Sequence, residues 1–112
     1  MMPNQDHSIG CSVEHVLGMV SGKWKPIILF ELFQETKRFS QLQQAIPNIT
    51  RQVLTTQLRE LEKDGLISRK VYPLVPPKVE YTITNLGRKF KGVLDQIEQI
   101  GESIVKKKTT LK

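Results

Sequence analysis

Residues 49–67 run Ile-Thr-Arg-Gln-Val-Leu-Thr-Thr-Gln-Leu-Arg-Glu-Leu-Glu-Lys-Asp-Gly-Leu-Ile, and this stretch decides the fold. Its spacing predicts one helix with both ends marked. Thr50 suits the N-cap, where its hydroxyl can accept from a free backbone N–H of the first turn. Gly65 suits the stop, because it takes the left-handed conformation that closes a helix. Leu54, Leu58 and Leu61 recur at i, i+4 and i+7 and so share one face. At roughly 100° per residue, the opposite face carries Gln52, Thr55, Thr56, Arg59 and Lys63. That face holds cations and hydrogen-bonding polar groups but no carboxylate. Glu60, Glu62 and Asp64 fall on its flanks or toward the core side. A solvated helix surface mixes both signs, whereas this one is arranged to meet phosphates and base edges.

The rest of the composition agrees. A chain of 112 residues makes one small domain, and 38% hydrophobic residues suffice for a modest core. The net charge is +6, with a sequence pI of about 9.6. Such a balance favours an anionic partner, either nucleic acid or an anionic membrane surface. No apolar run approaches the roughly 20 residues of a membrane span. Residues 1–10 lack the layout of a signal peptide. A single cysteine, Cys11, excludes an internal disulfide framework and suits a reducing, cytoplasmic setting.

Outward from the central helix, the elements fall in a simple order. Residues 1–10 are expected to be a flexible tail, and 11–108 a single domain followed by a short tail at 109–112. Val13, Val16, Leu17 and Val20 form a narrow helical stripe that Ser21-Gly22 breaks. A second helix begins near Lys23 or Trp24, with Pro26 in its first turn, where a missing N–H costs little. Ile27, Ile28, Leu29, Phe30, Leu32 and Phe33 make it apolar nearly all round, which places it in the middle of the fold. Residues 35–37 are expected to turn. Residues 38–40 could be a very short strand, with Ser40 as N-cap of a third helix that buries Leu42, Ala45 and Ile46. Pro47 ends that helix, since the residue before a proline avoids helical geometry. A short helix, a tight turn and a second helix with a polar outer face form a helix-turn-helix.

After Gly65 the period changes to that of strands. Residues 67–72 and 79–83 are β-branched and aromatic runs on either side of Pro73-Leu-Val-Pro-Pro77. A β-hairpin directly after such a helix is a wing, and Arg69, Lys70 and Lys78 flank its stiff loop. The last element is expected to open at Thr84 as one helix. Leu86, Phe90, Val93, Ile97, Ile100 and Ile104 step by alternating fours and threes, an a/d seam over nineteen residues. Such a seam either covers the monomer's own core or meets a second copy of the chain, and its length favours the second copy. The fold class is therefore mainly α with a small β-hairpin wing (α+β), a winged helix-turn-helix, dimeric through its last helix.

On these residues the chain resembles the HxlR-type winged helix-turn-helix regulators of bacteria. The resemblance is carried by Cys11-Ser-Val-Glu14, Gly22-Lys-Trp24 with Ile28-Leu29, and Lys37-Arg-Phe39. It continues in Leu54-Thr-Thr-Gln-Leu-Arg-Glu-Leu61, Asp64-Gly-Leu-Ile67, and Tyr72-Pro73 through Pro76-Pro77-Lys-Val-Glu-Tyr-Thr82. It spans about residues 11 to 104. Ser12 stands where the family often has proline, and Ser21 where it often has a second glycine. The resemblance implies a homodimer of first and last helices that sets two recognition helices in successive major grooves. In some members the cysteine matching Cys11 senses oxidants or electrophiles, so the resemblance makes Cys11 a candidate redox sensor. Packing or capping is the plainer role for that residue.

The expected function is that of a transcriptional regulator binding double-stranded DNA as a homodimer on a pseudo-palindromic operator. The contacts expected from the recognition helix are Thr50, Arg51, Gln52, Thr55, Thr56, Arg59 and Lys63. Arg38, Arg69, Lys70 and Lys78 are expected from the wing and its flanks. The dimer face is expected from Val13, Val16, Leu17, Val20, Phe90, Val93, Ile97, Ile100 and Ile104. A small-molecule or thiol-reactive effector fits the Cys11 reading. The rival reading is a winged-helix module that binds another protein through the same basic face. Enzyme chemistry lacks support, because neither a paired-carboxylate nor a Ser/His/Asp layout is present. There is no glycine-rich phosphate loop and no Cys/His metal cluster, so neither a cofactor nor a metal is expected.

Overall fold

A computed structural model describes residues 9–110. The helix marked at both ends is α4 (Arg51–Lys63). Ahead of it come α1 (Ile9–Val20), α2 (Lys25–Gln34), β1 (Lys37–Arg38) and α3 (Phe39–Ala45). Behind it come β2 (Ile67–Tyr72), β3 (Lys78–Ile83), α5 (Asn85–Arg88) and α6 (Lys91–Thr110).

The ends of α4 form as their residues dictate. The Thr50 hydroxyl accepts from the Val53 N–H at 3.1 Å. At the other end Gly65 has φ +81°, the left-handed region that glycine enters at little cost. Leu66 N–H then reaches Leu61 O and Gly65 N–H reaches Glu62 O, both at 3.0 Å, satisfying two carbonyls of the last turn. Leu54, Leu58 and Leu61 are buried in one cluster with Ile28, Leu29 and Leu32 of α2 and Leu42 of α3. Ile67, Tyr81 and Ile83 of the sheet complete that cluster with Phe90 and Leu94.

The turn between α3 and α4 is set by two residues. Pro47 forces Ile46 out of helical geometry, and Ile46 sits extended at φ −108°, ψ 107°. Asn48 then takes φ +68°, which asparagine tolerates better than most side chains. The turn drops Ile49 into the core and leaves Thr50 free to cap. The wing is a three-stranded antiparallel sheet in the order β1-β3-β2. In the β2–β3 hairpin Ile67 pairs with Ile83, Arg69 with Tyr81, and Tyr72 with Lys78.

Several boundaries differ from the sequence expectation. α1 begins at Ile9, so the segment expected as a tail gives up Ile9 and Gly10, and Cys11 lies inside the first turn. The remainder of that tail, residues 1–8, lies outside the described residues. α6 runs to Thr110, past the expected domain limit at 108. Lys37 belongs to β1, paired with Tyr81, and not to a turn. α3 starts one residue before Ser40, and the Arg38 N–H is met by Gln41 Oε1 at 2.8 Å, so Arg38 occupies the cap position. Ala45 is exposed, and Leu42 and Ile46 alone bury that face.

The last element is two helices and not one. Thr84 caps α5 by accepting from Gly87 N–H at 3.0 Å. The chain then tightens, with Lys89 N–H bonded to Leu86 O and Phe90 N–H to Gly87 O, each at 3.1 Å. This turn carries Phe90 into the core, and α6 sets off from it. Gly87 lies flat against the Leu66 carbonyl and the Ile83 side chain. A Cβ there would overlap the Leu66 oxygen and come within 2.6 Å of Ile83 Cδ1. Gly87→Ala is therefore expected to destabilise the domain by about 1–3 kcal/mol or more. Gly92→Ala, where a Cβ meets open space, should be neutral or stabilising by up to ~1 kcal/mol. Urea unfolding of the two variants checks the contrast, and equal midpoints would refute the close approach.

Candidate nucleic-acid interface

Leu54, Leu58 and Leu61 anchor one side of α4, so its opposite side must face out. Gln52, Thr56, Arg59 and Lys63 are exposed there, and Thr55 is half-buried toward the wing. No carboxylate lies among them. The two threonine hydroxyls are already engaged: Thr55 Oγ1 donates to Arg51 O at 2.8 Å and Thr56 Oγ1 to Gln52 O at 3.1 Å. Their protons are thus spent inside the helix, a pattern common for mid-helix threonine. The donors left on this face belong to Gln52, Arg59 and Lys63.

At the start of α4 the Arg51 guanidinium lies 5.0 Å from the centre of the Phe39 ring. That stacking holds a flexible cation in place beside the N-terminus of α3. Arg38 is exposed next to it. Between these residues and the wing loop is an open cleft of about 660 Å³, lined by Arg38, Phe39, Arg51, Thr55, Val75 and Pro77 among others. Val75, at the loop tip, is 99% exposed.

The wing cations are organised around one aromatic ring. Lys70 Nζ lies 4.9 Å and Lys78 Nζ 4.7 Å from the centre of Tyr72. The Tyr72 hydroxyl donates to Glu80 Oε1 at 2.9 Å, and Lys78 Nζ stands 3.4 Å from Glu80 Oε2. The Tyr72 hydrogen bond, helped by Lys78 and more weakly by Lys70, holds the Glu80 carboxyl below the usual carboxylate range. Burial pushes the Tyr81 phenol up. Of the expected wing contacts, Lys70 and Lys78 therefore sit together. Arg69 points elsewhere, with its Nε 3.5 Å from Glu62 of α4.

The expected dimer face divides. Val13, Val16 and Leu17 of α1 are 43–50% exposed, and Val93, Ile97, Ile100 and Ile104 of α6 are 51–60% exposed. Val20 and Phe90 are buried within the single chain and belong to its own core. Where α1 meets α6 there are two apolar grooves of about 420 and 280 Å³, both lined by Leu17, Val20, Leu94 and Ile97. Three residues beside α4 and the wing escaped the sequence reading: Phe39, Glu80 and Lys25, whose Nζ lies 2.7 Å from Glu60 Oε1 of α4. A lysine at the head of a largely apolar helix was the available signal for Lys25. Among the described residues no cluster of His, Cys, Asp or Glu could hold a metal, and no helix is long and apolar enough to cross a membrane.

A helix with this outer face, presented beside this hairpin, makes the protein a winged helix-turn-helix DNA-binding protein. It is a transcriptional regulator: the chain belongs to the HxlR-like helix-turn-helix family, whose model matches residues 19–109. It is 45% identical over 101 residues to the HTH-type transcriptional regulator YybR of Bacillus subtilis (strain 168), over 90% of this chain and 78% of that one. The redox regulator HypR in its reduced form aligns with a TM-score of 0.79 and 44% identity, covering 82% of this chain and 91% of HypR. The reduced transcriptional regulator YodB of B. subtilis aligns at 0.71 with 28% identity, covering 88% and 90%. HypR has also been solved oxidised, and YodB after diamide treatment.

Proposed function

We propose that two copies of this chain pair through α1 and α6 and bind a pseudo-palindromic operator, each inserting α4 into a major groove. The observation that carries this reading is the outer face of α4, which holds cations and amides but no carboxylate. Gln52 and Arg59 read base edges, Arg59 being suited to a bidentate contact with guanine. Thr55 and Thr56 contribute methyl contacts and acceptors. Thr50, Arg51 and Lys63, toward the ends of the face, and Arg38 beside it lie against backbone phosphates. Lys70 and Lys78 hold phosphates from the wing. A cytoplasmic setting follows from this role.

The exposed apolar residues of α1 and α6 support the pairing, because a monomer rarely leaves such a row uncovered. Two-fold pairing sets the half-sites about one helical turn, roughly 34–36 Å, or a multiple apart. A thiol-reactive effector acting at Cys11 is supported by the solved redox states of HypR and YodB. With a single cysteine per chain, the chemistry is narrow. Diamide takes two electrons from two thiols, so the second sulfur must come from a small thiol or from a second copy of the chain.

These readings have separate tests. Arg59→Ala should cost about 1–3 kcal/mol on a duplex selected from a random library, and relax preference at one base position. Lys70→Ala should instead weaken all sequences alike and lower the salt slope by about one unit. Unchanged affinity and preference in the first variant would remove Arg59 from base readout. Ile97→Glu should yield monomers in sedimentation and lose tight operator binding, and an undisturbed dimer would place the interface elsewhere. Diamide should change operator affinity in the wild type but not in Cys11→Ser, and equal responses would leave Cys11 structural.

A further inference from the structure

The carboxylates of α4 are not scattered. At roughly 100° per residue, Glu60 and Glu62 lie about 80° to either side of the centre of the outward face. Each is met by a cation from a different neighbouring element. Lys25 Nζ, from the first residue of α2, lies 2.7 Å from Glu60 Oε1. Arg69 Nε, from β2, lies 3.5 Å from Glu62 Oε1.

Lys25 is poorly placed for stability. It is 9% exposed, the only buried charged residue among the described residues. It also stands at a helix N-terminus, where the backbone dipole disfavours a cation. Burying an ammonium against a half-exposed carboxylate gains little once desolvation is counted. A residue that breaks a local rule without a stability return points to function.

We propose that Lys25 and Arg69 are positioning residues for DNA binding. Each draws a carboxylate of α4 sideways and neutralises it, so that the groove-facing side of the helix presents no negative charge to the phosphates. This rests on α4 being the helix that enters the groove. It gives Arg69 a task distinct from that of Lys70 and Lys78. It also gives Lys25, remote in sequence from α4, an indirect part in affinity.

Two charge-removal cycles test it by fluorescence anisotropy, using a duplex that the wild-type protein selects from a random-sequence library. The variants are K25M, E60Q and K25M/E60Q, with R69Q, E62Q and R69Q/E62Q as the second set. Thermal unfolding of each variant monitors the fold. K25M should weaken binding roughly tenfold at low salt, with the loss shrinking as salt screens the exposed Glu60. E60Q alone should bind at least as tightly as wild type, and K25M/E60Q should return to within about threefold of it. A structural role would leave the double variant as weak as K25M. That result, or a loss of affinity in E60Q alone, overturns the proposal. If K25M does not fold, the second cycle decides by the same criteria. A wild-type protein that selects no duplex would refute the DNA reading itself, whereas selection with an unaffected K25M refutes this inference alone.

Discussion

The hydroxyl of Thr84 donates to the Gly65 carbonyl at 2.6 Å and accepts from the Gly87 N–H at 3.0 Å. One side chain thus joins the end of α4 to the start of the last helical segment. The backbone repeats the tie, since Thr84 N–H bonds to Leu66 O at 3.0 Å. The same Leu66 oxygen is what excludes a side chain at Gly87. Three requirements meet within a few ångströms: a left-handed glycine, a capping hydroxyl and a position without Cβ. Because of that knot, α4 is rigidly related to the sheet on one side and to α5 on the other. The direction of α6, and with it the apolar row it carries, follows from where α5 stops.

Electrostatics then divides the work among elements. α4 supplies an outward face of one sign, and the elements packed beside it deal with its acids. Charges of small consequence on a free helix would gain weight on a helix set against a polyanion, where many phosphates fall within the screening distance at once. Phe39 and Tyr72 do for Arg51 and for the wing lysines what packing does for apolar side chains. They restrict where a long cation can go without removing its charge.

Local signals in the sequence translated well into structure. Thr50 and Gly65 mark α4 through hydrogen bonds within a few residues of themselves, and Pro47 ends α3 by steric contact with its own neighbour. The β-branched and aromatic runs at 67–72 and 79–83 marked the hairpin because strand preference is also local. Features built from distant residues were hidden. The partner of Lys25 stands thirty-five positions away on another helix, and no period connects the two. Ser40 looked like a better cap than Arg38, but Gln41 meets the free N–H from within the helix and the β1 pairing sets the boundary. Phe90 fitted the heptad because the tightened turn at residues 89–90 leaves the alternation of fours and threes in the sequence unbroken. Only burial shows that Phe90 faces the single chain's own core, whereas Val93 and Ile97 do not.

The inward hydroxyls of Thr55 and Thr56 also bear on hydration. A threonine whose proton is held by a backbone carbonyl binds surface water through fewer directions than a free hydroxyl does. The middle of the outward face is therefore drier than its residue names suggest, with two methyl groups set among charged and amide termini. Bringing another surface against it strips fewer well-held waters, and so costs less dehydration, than a serine or asparagine pair with free donors would.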